Sequence, residues 1–294
     1  MPLILKSKGM FINMSKFIIS GFADEIAESF DTQLSHLQKL GIKFFEIRGV
    51  DGKNISKLSD QEVLAVKSKI SAAGIKVSAI GSPIGKDEIT EDFNIQLERF
   101  SRIVEIAKML SAKYIRIFSF FNVTDRKEEV IKRLSEFVKI AEKENIILLH
   151  ENEKDIFGES AENCKYLFDN IKSESFKAIF DPANFVQAKV STYPYAFELL
   201  KDNVVYMHIK DAKEDGSVVP AGYGIGKVKE ILTELHTAGY QGFLSLEPHL
   251  GNFAGFSELE GGVNNFESDS DSEKFTLAYD SLIKIINEIG ACYE

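Results

Sequence analysis

Residues 146–152, IILLHEN, form a short apolar run that closes on a carboxylate, Glu151, and three later segments are built the same way. They are KAIFDPAN with Asp181, VVYMHIKD with His208 and GFLSLEPH with Glu247. The four polar residues follow one another at intervals of 30, 27 and 39 residues, close to one strand plus one helix per step. In a barrel of parallel strands, such units place four side chains at the C-terminal mouth of neighbouring strands, where barrel folds keep their chemistry.

Upstream of Ile146 the same unit recurs: an apolar run, a polar or Gly-rich turn, then a segment with apolar residues at helical spacing. Eight strands are expected, at 17–22, 43–48, 75–81, 113–119, 145–151, 176–181, 203–209 and 243–247. Strands alternating with helices at this spacing give a parallel sheet. Helices are expected over Glu91 to Leu110, with Phe93, Leu97, Phe100, Val104 and Ala107 on one stripe, and between Asp125 and Asn145, with Ile131, Leu134, Val138 and Ala141 aligned. Gly41, Gly74 and Gly239 sit where helices end and the chain must turn through positive φ. Gly21-Phe22-Ala23-Asp24 after the first strand is not the phosphate turn of an open doubly wound sheet, so the expected class is α/β, a single (β/α)8 TIM barrel over 16–294 with residues 1–15 as an N-terminal extension.

Composition agrees with one large core. The chain has 294 residues, 44% hydrophobic, with 23 Phe and no Trp, and barrels of about 250 residues are routinely single domains. A net charge of −10 argues against nucleic acid or an anionic membrane as partner, since both are bound through Lys and Arg. The start of the chain lacks the features of a signal peptide, and no apolar run approaches the ~20 residues of a membrane helix. Two cysteines, Cys164 and Cys292, make no disulfide framework, and the expected setting is cytoplasmic. The expected partner is a small molecule, with self-association left open. After Glu247 the stretch from His249 to about Ser272 reads as a lid, a wall or a disordered insertion, before a last helix near Lys274.

Strand alternation puts Glu151 on the face of Ile147 and Leu149, Asp181 on that of Ile179, His208 with Tyr206 and Lys210, and Glu247 with Ser245 and His249. Three carboxylates crowded at an apolar barrel end repel one another and are poorly solvated unless a cation compensates. Oxygens with one imidazole suit one divalent ion: Mn²⁺, Co²⁺ or Mg²⁺, with Zn²⁺ also fitting.

The segments LLHENE, FDPANF, HIKD and LSLEPH, in this order, resemble the sugar phosphate isomerase/epimerase superfamily with the xylose isomerase-like TIM barrel, which includes ketohexose 3-epimerases and inosose dehydratases. The resemblance runs from about Phe17 to Ile289. It implies metal ligation by Glu151, Asp181, His208 and Glu247, with Glu151 and Glu247 also acting as acid and base on a sugar, sugar phosphate or polyol ketone. A dehydratase of a keto-polyol and a non-catalytic sugar-binding barrel are the competing readings. DNA-repair endonucleases of the same fold hold three zinc ions with many histidines, and five histidines with the charge of this chain do not fit them. Several relatives place His three residues after the Asp ligand, where this chain has Asn184, which hydrogen-bonds a hydroxyl but relays no proton. Lys210 and Lys213 stand where some relatives have Arg.

Further mouth residues complete the expected site. Arg48, in FFEIRG, either contacts substrate or pairs with Glu46 or other neighbours, and Lys210 either contacts a substrate oxygen or pairs with Asp211 or Glu214. Ser82, in the loop after strand three, and His249 are further substrate-contact candidates. Phe22, Phe120, Phe157 and Phe185 lie at strand ends and read as core before pocket. Gly222, Gly224 and Gly226 read as a flexible loop, too irregular for a dinucleotide turn.

Overall fold

The computed structural model describes residues 16–250 and 270–294. The N-terminal extension and most of the stretch expected as lid or insertion lie outside the described residues. All eight expected strands form: β1 Lys16–Gly21, β2 Phe44–Ile47, β3 Lys76–Ile80, β4 Tyr114–Ile117, β5 Ile147–Glu151, β6 Phe176–Phe180, β7 Val204–Ile209 and β8 Phe243–Leu246. They pair in parallel in the order β1, β8, β7, β6, β5, β4, β3, β2, and the barrel closes through a parallel bridge from Phe22 to Glu46. A short strand, Cys292–Tyr293, adds to the outer edge of β1.

The layer outside the strands is helical: α1 Phe30–Leu40, α2 Asp60–Ala73, α3 Phe93–Leu110, α4 Lys127–Lys143, α5 Ala161–Asn170, α6 Pro182–Gln187, α7 Phe197–Leu200, α8 Val228–Thr237 and α9 Asp271–Glu288. The stripes of α3 and α4 face the core as expected; Phe100, Val104, Ala107, Leu134, Val138 and Ala141 are buried. Gly41, Gly74 and Gly239 take φ of 74°, 68° and 77°, the left-handed conformation that a side chain resists. Among the described residues no helix is long and apolar enough to cross a membrane.

Strand alternation fills the barrel in layers. Phe44, Tyr114, Tyr206 and Phe243 cluster near the strand starts in edge-to-face and tilted pairs, with centroids 5.3–6.3 Å apart. Above them lies a polar layer. Ser78 Oγ meets Ser20 Oγ at 2.6 Å and the Tyr206 hydroxyl at 2.9 Å, and Ser245 Oγ donates to Glu46 Oε2. The charged groups occupy the top.

Candidate metal centre

Each expected ligand stands where its strand ends. Glu151 closes β5, Asp181 follows β6 and caps α6, His208 lies within β7, and Glu247 follows β8. All four are at most 2% exposed, and one ligand atom from each lies within 4.8 Å of the others. His208 is the hub: Nδ1 lies 3.0 Å from Glu151 Oε1, 3.1 Å from Glu247 Oε2 and 3.8 Å from Asp181 Oδ2, while Nε2 lies 3.1 Å from Glu46 Oε2. Asp181 divides its work. Oδ1 accepts from the Asn184 amide of α6, and Oδ2 faces the cluster.

The electrostatics follow from burial and crowding. Burial disfavours a charged His208, yet Glu151, Glu46 and Glu247 outweigh it and raise its pKa well above the ordinary value. Burial likewise lifts Asp181, and the other two carboxylates add to it against Lys210, so that Asp181 titrates at about 7. For Glu151 the same burial is overcome by His208 and Arg116, which hold it at about 2. Lys210, His208 and His249 hold Glu247 well below the usual carboxylate range. Protons and protein cations therefore neutralise the cluster in this state. Glu151 Oε2 and Asp181 Oδ2 accept no hydrogen bond although buried, and are met as ion pairs by Arg116 and Lys210, each at 3.2 Å. Buried lone pairs without hydrogen bonds, on hard oxygens around one imidazole nitrogen, fit a divalent cation.

The remaining candidates reach the same place by different routes. Lys210 is buried and bridges Glu247 Oε2 at 2.9 Å and Asp181 Oδ2 at 3.2 Å; Asp211, one of its two expected partners, is occupied elsewhere. Arg48 does not pair with Glu46: it forks onto Asp24 at 2.8 and 3.1 Å, meets Glu25 at 3.0 Å and reaches Glu247 Oε1 at 3.4 Å. The reason is register, since Arg48 lies beyond the end of β2 while Glu46 is drawn inward to His208. Asn184 donates to Glu151 Oε1 at 3.1 Å and to Asn152 O, so it orients the Glu151 carboxylate. His249 stands 3.4 Å from Glu247 Oε1 and, despite burial and Lys210, keeps its proton to about pH 9 because of Glu25 and Glu247. Ser82 is buried, its hydroxyl donating to Arg116 O and accepting from Ile84 N.

Arg116 and Glu46 belong to this site although the sequence singles out neither, and Phe22, expected as core, lies beside it. Arg116 Nη1 lies 3.2 Å from Glu151 Oε2 and 3.5 Å from Glu247 Oε1, linking the two carboxylates. Phe22 is buried with the guanidiniums of Arg48 and Arg116 over its ring, 4.4 and 5.0 Å from its centre, and meets His208 edge to face. The signal for both charged residues was alternation: Arg116 shares the inward face of β4 with Tyr114, and Glu46 that of β2 with Phe44.

A parallel barrel with a carboxylate and histidine cluster at its C-terminal mouth defines a class of α/β-barrel proteins, and the sequence places this chain within it. The chain belongs to the xylose isomerase-like TIM barrel family, whose model matches residues 34–265. Similar solved structures include the probable 3-DHS dehydratase AsbF of Bacillus anthracis, described as involved in petrobactin synthesis (TM-score 0.69, 15% identity, covering 91% of this chain and 98% of that one). The IOLI protein with a bound zinc atom aligns with TM-score 0.73 and 16% identity over 93% of this chain and 99% of its own. D-allulose 3-epimerase from Methylomonas sp. aligns with TM-score 0.72 and 12% identity, covering 92% and 98%. At these identities the likeness is one of fold. No curated protein matches the chain.

Proposed function

We propose that residues 16–294 form one catalytic barrel that is a divalent-metal-dependent isomerase or epimerase of a sugar, sugar phosphate or related polyol ketone. The observation that carries this reading is the convergence of Glu151 and Glu247, from β5 and β8, on one nitrogen of His208. Glu151, Asp181, His208 and Glu247 would hold the ion. Bound there, it would supply Lewis-acid stabilisation of the charge that develops on substrate oxygens when a proton leaves the adjacent carbon.

The protein's own groups do the rest. Glu151, held ionised by His208 and Arg116, is in the form that removes a proton. Glu247 is held ionised by Lys210 at 2.9 Å and protonated His249 at 3.4 Å, and these two donors stand where a proton would be supplied to the other face through its carboxylate. Two groups on two faces invert a carbon. Lys210, paired with Asp181 and Glu247, is within reach of a substrate oxygen at the same mouth, and Asn184 keeps the Glu151 carboxylate aligned. His249 also supports a second reading, a dehydratase, because a buried acid that stays protonated to about pH 9 can protonate a departing hydroxyl.

The test is a panel of free and phosphorylated ketoses in D₂O with metal restored to chelated protein. The epimerase reading expects deuterium at an inverted carbon, and a fall in kcat of about 10²–10⁴-fold in metal-loaded Glu151→Gln and Glu247→Gln. Near-normal rates in both loaded variants would sink it. Loss of water without inversion would put the dehydratase in its place.

A further inference from the structure

We propose that Glu46 is a positioning residue that fixes which nitrogen of His208 faces the carboxylate cluster, an inference that rests on the metal reading of that cluster. Glu46 is fully buried inside the barrel, on the inward face of β2. Its Oε2 accepts from His208 Nε2 at 3.1 Å and from Ser245 Oγ at 3.1 Å. The imidazole has two nitrogens and one is spoken for. With Nε2–H directed down at Glu46, only Nδ1 is left to face Glu151, Asp181 and Glu247, and it does so at 3.0, 3.8 and 3.1 Å. A ligating imidazole whose other N–H is held by a carboxylate has a fixed tautomer and a fixed ring plane.

The anchor is itself held. Ser245 on β8 ties Glu46 to the polar layer in which the Tyr206 hydroxyl meets Ser245, Ser78 and Ser20. The parallel bridge from Phe22 to Glu46 closes the barrel at this residue, and the Phe22 ring lies edge-on against His208 with centroids 5.3 Å apart. The ring is thus constrained at Nε2 by a hydrogen bond and across its face by an aromatic wall. A buried carboxyl is expensive to place in a barrel interior unless it is paired. Its contacts with His208 supply that pairing. The layer below the metal site would then serve the site, and the barrel's closing bridge would set the geometry of its one nitrogen ligand.

Two variants separate this role from a structural one. Glu46→Gln keeps the shape and an oxygen acceptor for Nε2–H, whereas Glu46→Leu keeps the approximate volume and removes the acceptor. Dissociation constants for Zn²⁺ and Mn²⁺ are measured by chelator competition on folded, metal-stripped protein, and ¹⁵N NMR of histidine-labelled, zinc-loaded protein reports which ring nitrogen of His208 carries the ion. The expected result is zinc on Nδ1 with a protected Nε2–H in wild type, affinity within a few-fold of wild type for Glu46→Gln, and affinity weakened about 10–100-fold for Glu46→Leu. Folded Glu46→Leu that binds within twofold of wild type overturns the proposal, and so does zinc on Nε2 in wild type. Should Glu46→Leu not fold, the nitrogen assignment in wild type and Glu46→Gln decides alone. Wild type that takes up no ion overturns the metal reading, and this inference with it.

Discussion

Asp181 shows how one side chain can serve fold and chemistry with separate atoms: Oδ1 caps α6 while Oδ2 faces the cluster. Asn caps a helix about as well as Asp, so Asp181→Asn should leave the fold intact and cost the protein its metal. The substitution should also change the pH dependence of metal-free stability. Asp181 titrates near 3.8 unfolded and at about 7 folded, so the native state holds an extra proton in between, and the stability it contributes below pH 3.8 is lost as pH rises toward 7. The difference could reach roughly 4 kcal/mol as an upper bound. Chemical denaturation at pH 4 to 7 should therefore show wild type losing ground to Asp181→Asn as pH rises; parallel curves would contradict the assigned burial. His150, kept neutral down to about pH 3 by burial, acts in the opposite sense and is common to both proteins. The four residues of the cluster were legible in the sequence because each ends an apolar run. Arg116 and Glu46 were harder, because a lone charge inside a strand reads equally well as a solvent-facing residue, and its true partners come from strands far away in the chain.

The loop between β7 and α8 shows what alternation and composition miss at the scale of elements. Its glycines read as flexibility, yet the amides of Gly222, Gly224 and Gly226, with that of Ala212, all donate to the Asp211 carboxylate at 2.7–3.1 Å. The loop is wrapped on an internal anion. A Cβ on Gly224 would stand 2.3 Å from Ala212 O, which explains a glycine there in terms of approach and not of mobility. Because Asp211 directly follows Lys210, the same wrap sets the backbone from which Lys210 reaches the cluster. Asp211→Ala would strand these amides and should cost about 2–4 kcal/mol in urea denaturation, allowing for partial solvent access to the loop. It should also weaken substrate affinity more than metal affinity. A loss below about 0.5 kcal/mol would mean that the wrap does not hold the loop.

At the scale of the molecule, eight units at regular spacing made the barrel legible, since each strand and its helix announce themselves within some 30 residues. A closed barrel was therefore expected, but its seams were not legible: the pairings of β1 with β8 and with Cys292–Tyr293 join residues distant in sequence, and the bridge from Phe22 to Glu46 carries no local pattern. On the proposed function, this closed barrel gathers Glu151, Asp181, His208 and Glu247 around one divalent ion. Anomalous diffraction from crystals of chelated protein soaked in Mn²⁺ tests it most directly. The expected result is one strong peak per chain, about 2.0–2.3 Å from an oxygen of each carboxylate and from His208 Nδ1. No peak at the barrel mouth, or an ion held elsewhere with Lys210 still seated on Asp181 and Glu247, would contradict it.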